Sequence, residues 1–576
     1  MSPSIDLGKQ FPRRFVPPEA NAGRWEEIER LGQTLLNRLP ETPEALERWL
    51  EDASEVAAWV GEEGARRYIG MTSHTDDAER ERDYLSFVRE ISPRWKQLTQ
   101  RLDEAYLANP RRRALPPRYQ VFDRKIENRV ALHRETNLPL QVAEAELEQQ
   151  YQKLRGAMTV EYRGQEYTLE QLSRFLEDPD RSVREEAWVL AVERMLRDRE
   201  AIEGLFDRLR DLRLQISRNA GFASYRDYAF RARERFDYGP ADCLRFQDAV
   251  EACFVPLAER VAEERRRLLG VPTLRPWDVE ADPLRRPSLP VFERTEDLLD
   301  RCEAVFRRVH PELGDQFRFM RARGLLDVDR RKGKTPGGYQ QTLHERRWPF
   351  IFLNVPPSQD VSTILHEGGH AFHALAARED PLIAYRHSPA EFAEVASMGM
   401  ELLGAPHLDC IYARPEDARR ALRARFEGIL MPKGMPWIAT IDAFQHWLYT
   451  YSDHTPEDRR RAWVETYRRF HRSVDWSGHE DALDYLWHRQ LHIFLHPFYY
   501  IEYGVAQMGA LQIWIRAAGS DGAGAVARYR SALALGGSRP LPDLFEAAGA
   551  RLAFDAQTMA PLAQAVGEAL SRIPYG

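Results

Sequence analysis

The sequence predicts a mainly α protein. Amphipathic helical patterning runs through both halves of its 576 residues, helix-start signals recur, and β-patterned segments are short and few. No repeat period or low-complexity tract stands out. Hydrophobic residues at 43% and aromatics at 11% suffice for a substantial core, and 30% charged residues fit a soluble surface. A net charge of −7 argues against general nucleic-acid binding or membrane adsorption, so neither partner is expected. Cys243, Cys253, Cys302 and Cys410 lack CxxC spacing and are read as buried apolar thiols, not as disulfides or metal ligands. The start, Met1-Ser2-Pro3-Ser4-Ile5-Asp6, has no apolar signal-peptide core, and no later stretch is long enough to span a bilayer. A cytoplasmic protein is expected.

Along the chain, Val160 to Tyr167 has the pattern of a small hairpin, and Thr168-Leu169-Glu170-Gln171 offers a capping box before Leu172, Phe175 and Leu176. The proline-rich segment from Val271 to Pro290 predicts a loop between helical units, with Trp277-Asp278 as a packing anchor. Gly337 to Thr342 and Trp348 to Asn354 carry the clearest strand signal, paired through the polar turn His344 to Arg347. Pro349 restricts the second segment to a strand start or an edge. Two roles stay open for this pair. It is a structural cover for the helix that follows, or an exposed edge that holds a peptide by adding a strand, with Gly337, Gly338, Phe350 and Phe352 as contacts.

The next helix carries the chemistry. Pro356-Pro357-Ser358-Gln359-Asp360 supplies breakers and capping residues, after which Val361, Ile364, Leu365, Gly368, Phe372 and Leu375 form one apolar stripe. Within it stands His366-Glu367-Gly368-Gly369-His370. At roughly 100° per residue, His366 and His370 project opposite the stripe, one turn apart, with Glu367 to one side. Such a pair holds one zinc ion, and the glutamate between them is placed to act as general base in metal-assisted hydrolysis. Two solvated histidines on a surface helix are the alternative, and the apolar backing favours a site. Two glycines inside a helix cost roughly 1 kcal/mol each against alanine, which suggests close packing or substrate approach.

A catalytic zinc usually takes three protein ligands and keeps a position for water. His373 lies about 10 Å along the axis from His366 at 1.5 Å per residue, too far to share the ion, so it is assigned to outer support or packing. The metzincin arrangement needs a histidine where Ala376 stands and is excluded. Ser388-Pro389-Ala390-Glu391 predicts a helix start with Ser388 as N-cap and Glu391 as its capping-box partner. Glu394 follows on a small, apolar surface. It is either an ordinary surface carboxylate or one paired with a metal. Glu401, on the same face, is a candidate partner for a ligand histidine.

Near the C-terminus, His492 to Tyr503 clusters aromatics and histidines. Tyr500 and Tyr503 share a helix face, and His492 joins them only if helix continues through Pro497. Phenol and imidazole donors suit the oxyanion of amide hydrolysis; aromatic packing is the usual role of such a stretch, and it loses ground here because the zinc motif needs such donors.

With these motifs, the chain resembles the thimet-oligopeptidase family of zinc metallopeptidases, in its oligoendopeptidase F and Pz-peptidase branch. Arg331-Lys332-Gly333-Lys334, Pro336-Gly337-Gly338, Pro349-Phe350-Ile351-Phe352 and Asp180-Arg181-Ser182-Val183-Arg184 extend the likeness. The resemblance implies a mainly α, two-lobed helical peptidase fold with a deep central channel and a small β-sheet beside the zinc helix. Within it, residues 1–200 would form an N-terminal helical lobe and 201–576 a catalytic region. It implies one zinc per chain held by His366, His370 and Glu394, with Glu367 as base and then proton donor. Glu401 and His373 would support the ligands, and His492, Tyr500 and Tyr503 would contact the carbonyl and oxyanion. The implied activity is endopeptidase cleavage of short peptide substrates; a carboxydipeptidase of the same fold and a non-catalytic peptide-binding protein are the alternatives. One departure is plain: His496-Pro497 stands where thimet oligopeptidase has a flexible tyrosine after a glycine-rich turn.

Overall fold

The computed structural model describes residues 5–38, 40–289 and 291–575. Met1 to Ser4, from the start read above, and Pro290, the end of the proline-rich segment, lie outside the described residues. The structure is 68% helical, with two small sheets among the described residues, so the mainly α expectation holds. No helix among the described residues is long and apolar enough to cross a membrane. The chain divides into two compact units, each assembled from three segments.

The first unit comprises Met1–Ala131, Pro290–Ala418 and Gly509–Leu552. Its N-terminal helices bury Leu31, Leu35, Trp49, Trp59, Leu98 and Tyr106 in one cluster, which Leu382 and Tyr385 join from far along the chain. Tyr385 Oη accepts from the Phe122 N–H at 3.2 Å and donates to the Arg118 carbonyl, so this buried phenol is satisfied.

The second unit comprises Leu132–Leu289, Arg419–Met508 and Ala553–Gly576. Strands β1 (Thr159–Tyr162) and β2 (Gln165–Thr168) form the expected hairpin through Arg163-Gly164, both at positive φ (53° and 76°), as a two-residue primed turn requires. Thr168 and Gln171 then close their capping box. Trp277 packs on Trp188 with ring centroids 5.3 Å apart, and fully buried Asp278 pairs with Arg181 and Arg184 at 2.9 and 3.0 Å. The Trp277-Asp278 anchor is thus a packing and an electrostatic one.

In the first unit, β3 (Leu326–Asp327), β4 (Gly337–Leu343) and β5 (Trp348–Asn354) form a sheet of order β3-β5-β4. β4 and β5 pair antiparallel from Gly337–Asn354 to Leu343–Trp348, and β3 adds in parallel at Ile351 and Phe352. Pro349 sits at the start of β5, ahead of the residues that pair with β3, where a missing N–H breaks no ladder bond. The middle position of β5 corrects one expectation. Phe350 and Phe352 are buried, and Phe352 stacks flat on Tyr339 at 4.8 Å with the Lys334 ammonium over its face, so these rings belong to the core rather than to a peptide-binding surface. Gly337 and Gly338 lie on β4, an edge strand.

Candidate metal centre

The motif helix spans Asp360–Ala376. Asp360 begins it rather than capping it. Its carboxylate pairs with Arg330 at 2.6 Å, while the Ser362 and Thr363 hydroxyls donate to the Gln359 carbonyl. The stripe Val361, Ile364, Leu365, Gly368, Phe372 and Leu375 is buried, and both motif histidines remain partly exposed on the other side. Tertiary packing therefore sets the rotation of the helix, and the rotation aims the histidines.

The two glycines serve close packing. A Cβ on Gly368 would strike the Phe306 ring. One on Gly369 would strike the Ala396 carbonyl oxygen and come within 2.6 Å of Ser397 Cα. Both Ala396 and Ser397 belong to the helix Ala390–Gly404, which carries Glu394. Gly369 thus lets the backbones of the two site helices touch. The start of the second helix differs from expectation. Pro389, extended at φ −51° and ψ 147°, holds the cap position in place of Ser388, whose hydroxyl donates to the Pro389 carbonyl.

Across this contact, the His366 and His370 rings stand 5.0 Å apart and nearly perpendicular. Glu394 Oε2 lies 3.4 Å from His366 Nε2 and 3.7 Å from His370 Nε2. The three ligand atoms all fall within 4.8 Å of one another. Ligands sharing one tetrahedral ion through bonds of about 2.0–2.2 Å lie roughly 3.3–3.6 Å apart, so the group fits an ion of zinc's size and preference for nitrogen and oxygen. His366 Nδ1 donates to Glu401 Oε1 at 2.9 Å, which turns the Nε2 lone pair toward the other two ligand atoms. Ser397 Oγ donates to Glu394 Oε2 at 2.9 Å and steadies that carboxylate. Ser397 escaped the sequence reading, although its place three residues after Glu394 puts it on the same helix face.

The electrostatics separate the carboxylates. Burial raises the proton affinity of Glu394, but His366, His370 and Ser397 outweigh it and hold the group down at about 2. Burial pushes Glu367 up to about 7. Glu394 and Glu401 act in the same direction, while His366 and the Gln340 backbone N–H of β4 oppose. Burial lowers His370 to about 4; for His366 the bonds to Glu394 and Glu401 overcome burial and raise it well above the usual range. His373 is buried with its ring edge-on to Phe392, and its Nε2 has no hydrogen-bond partner among the described residues.

The second unit gathers the remaining candidates. The helix Leu491–Leu495 stops before Pro497, and a new helix begins at Ile501. The break is held by polar bonds: Arg213 donates to the Ile493 and Phe494 carbonyls, Arg233 to the Pro497 carbonyl, and the Phe498 N–H to Gln445 Oε1. Folding back brings the His492 ring within 4.9 Å of Tyr500 and 6.1 Å of Tyr503, which a continuous helix would not do. Burial pushes the Tyr500 phenol up to about 12, against the opposing side chains of Trp437 and Gln490. Gln490 also bonds His492 Nδ1 at 2.8 Å.

The sequence from residue 174 to 563 matches the sequence model of peptidase family M3. The chain belongs to peptidase family M3. Among curated relatives, it is 28% identical over 144 residues to the oligoendopeptidase F homolog of Lactococcus lactis subsp. lactis (strain IL1403), a stretch covering 25% of this chain and 23% of that protein. It is 27% identical over 150 residues to the group B oligopeptidase PepB of Streptococcus agalactiae serotype III (strain NEM316), with the same coverage of each. The matched stretch thus spans under a quarter of either relative's length. Solved structures resemble the whole chain. Pz peptidase A with an inhibitor superposes with a TM-score of 0.87 at 24% identity, covering 98% of this chain and all of that one. A structure described as oligoendopeptidase F gives 0.88 at 25% identity with the same coverage. The M3 chain shares their fold.

Proposed function

We propose that this M3 protein is a cytoplasmic, zinc-dependent endopeptidase that hydrolyses internal bonds of short oligopeptides. The observation that carries the reading is the convergence of His366, His370 and Glu394 beside a buried Glu367. His366, His370 and Glu394 would hold one zinc ion. When bound, the ion would supply Lewis-acid polarisation of a water and of the scissile carbonyl. Glu367 accepts a proton from the attacking water as its oxygen bonds to the carbonyl carbon, then gives a proton to the amine nitrogen as the C–N bond breaks. Glu401 keeps the His366 ring in the tautomer that presents Nε2, and Ser397 keeps Glu394 in place. β4 has a strand neighbour on one side only, so its other side around Gly337 and Gly338 is where an extended peptide would add, and the Gln340 N–H on the same strand faces Glu367.

The test is mass spectrometry of a mixed peptide pool after incubation with the zinc-loaded protein. Internal cuts are expected. Release of C-terminal dipeptides alone would make the protein a carboxydipeptidase, and an unchanged pool would leave a peptide-binding protein. Glu367→Gln keeps shape but cannot take the proton; it should retain zinc and lose roughly 10²–10⁴-fold in rate. A variant with most of the wild-type rate would remove Glu367 from the reaction.

A further inference from the structure

The helices Pro240–Cys253 and Met435–Thr450 of the second unit pack together and bring Cys243, Asp442 and His446 to one point. Their ligand atoms lie within 4.8 Å of one another. Asp442 and His446 are one turn apart on one helix face, the same spacing as His366 and His370. Burial is nearly complete, with Cys243 and Asp442 at 0% exposure and His446 at 4%. Polar groups buried this deeply are ordinarily hydrogen-bonded. Here Gln247 Nε2 donates to Asp442 Oδ2 at 2.8 Å, yet among the described residues Asp442 Oδ1 and both ring nitrogens of His446 have no hydrogen-bond partner. His446 Nε2 stands 3.7 Å from Asp442 Oδ2, beyond hydrogen-bonding range, and Phe230 and Phe498 wall the ring edge-on.

We propose that Cys243, Asp442 and His446 form a second, structural site for a zinc-class divalent cation. Thiolate, imidazole and carboxylate are the ligand types such an ion selects. The ion's two positive charges would be balanced by the thiolate and the carboxylate, so the filled site is neutral and suits burial where an unpaired charge would not. The thiol proton leaves to solvent on binding. Gln247 holds the carboxylate by one oxygen and leaves the other for the ion, the arrangement of an outer support to a metal ligand. Arg235, whose charge also faces His446, is paired with Glu502 at 2.8 Å. Bound metal would tie the two helices together. The reading of Cys243 as an inert apolar thiol is thereby revised.

The experiment is expression of the full chain in medium where cobalt replaces zinc, followed by absorption spectroscopy and metal analysis. Cobalt bound to Cys243 produces a near-ultraviolet thiolate-to-metal charge-transfer band, which the sulfur-free group of His366, His370 and Glu394 cannot produce. The expected result is that band, with a metal content that drops by one equivalent per chain in Cys243→Ser together with loss of the band. His446→Gln keeps the sulfur and should weaken cobalt retention at this site tenfold or more; it serves as the deciding variant if Cys243→Ser does not fold. A wild-type chain without the band overturns the proposal. So does a band that survives in folded Cys243→Ser, which would arise from Cys253, Cys302 or Cys410, or one undiminished in His446→Gln.

Discussion

Alanine at Gly369 tests the packing on which the proposed metal centre depends. Elsewhere in a helix the change would gain about 1 kcal/mol from propensity. At 369 the added Cβ meets the Ala396 carbonyl oxygen and, at 2.6 Å, Ser397 Cα. Both obstacles are backbone and cannot rotate aside. Comfortable carbon contacts are about 3.5–4.0 Å, so the two site helices must part by roughly 1 Å. Overpacking of this kind costs about 1–3 kcal/mol, and with nothing flexible to absorb it the upper part of that range applies. The net expectation is a loss of about 1–2 kcal/mol after the propensity gain. Gly204→Ala is the control. It sits inside the helix Arg199–Asn219 with nothing within 4 Å of its Cβ, so it should stabilise. Thermal unfolding of the two variants beside wild type should therefore shift in opposite directions. Zinc affinity is a second readout, since the parting helices carry His366 and His370 on one side and Glu394 on the other; it should fall in Gly369→Ala and not in Gly204→Ala. A Gly369→Ala protein at least as stable as wild type would refute the close approach and the reason given for the glycine.

Glu401→Gln should lower zinc affinity about 10–100-fold while leaving Glu367 in place, because the amide no longer enforces the Nδ1-protonated form of His366; equilibrium dialysis against a chelator measures it. Tyr500→Phe and Tyr503→Phe separate chemistry from packing. A phenol that donates to the developing oxyanion is worth about a hundredfold or more in kcat, with less effect on KM, whereas a packing ring leaves kcat unchanged. For acid stability the marker is Asp327. Burial raises its proton affinity, but Arg331, Ser73 and Lys334 outweigh this and hold it at about 2. A carboxylate depressed in the folded state stabilises above its unfolded value of 3.8, and that contribution is lost as pH falls toward 2. Asp327→Asn should thus flatten the stability profile across this window, and a profile as steep as wild type in acid unfolding would dismiss the pairing.

What was legible in the sequence follows the reach of each interaction. The apolar stripe and the aim of the two histidines depend on rotation about a single helix, and periodicity carries that information directly; the shared face of Glu394 and Glu401 is read the same way on the second helix, while the His366–Glu401 bond itself needs the packing of the two. The hairpin at Arg163-Gly164 and the Thr168 cap are equally local. The helix start after Ser388 departs from expectation for a local reason too: extended Pro389 takes the cap position that serine, by preference alone, should hold. Phe350 and Phe352 differ in kind, because what encloses them lies outside their own segment: β3 takes the open edge of β5, and Tyr339 and Lys334 cover the Phe352 ring. The meaning of Gly369 lay between these cases. A helical glycine signals close approach, but only the partner backbone at Ala396 and Ser397 says to what. Cys243 marks the far limit. Asp442 and His446 show the same i, i+4 spacing as the motif histidines, yet with no glutamate between them and the thiol supplied by another helix, nothing along the chain joins the three. In both groups two ligands share one helix and the third, Glu394 or Cys243, comes from a second helix, so one-helix spacing marks the pair and only the fold supplies the third.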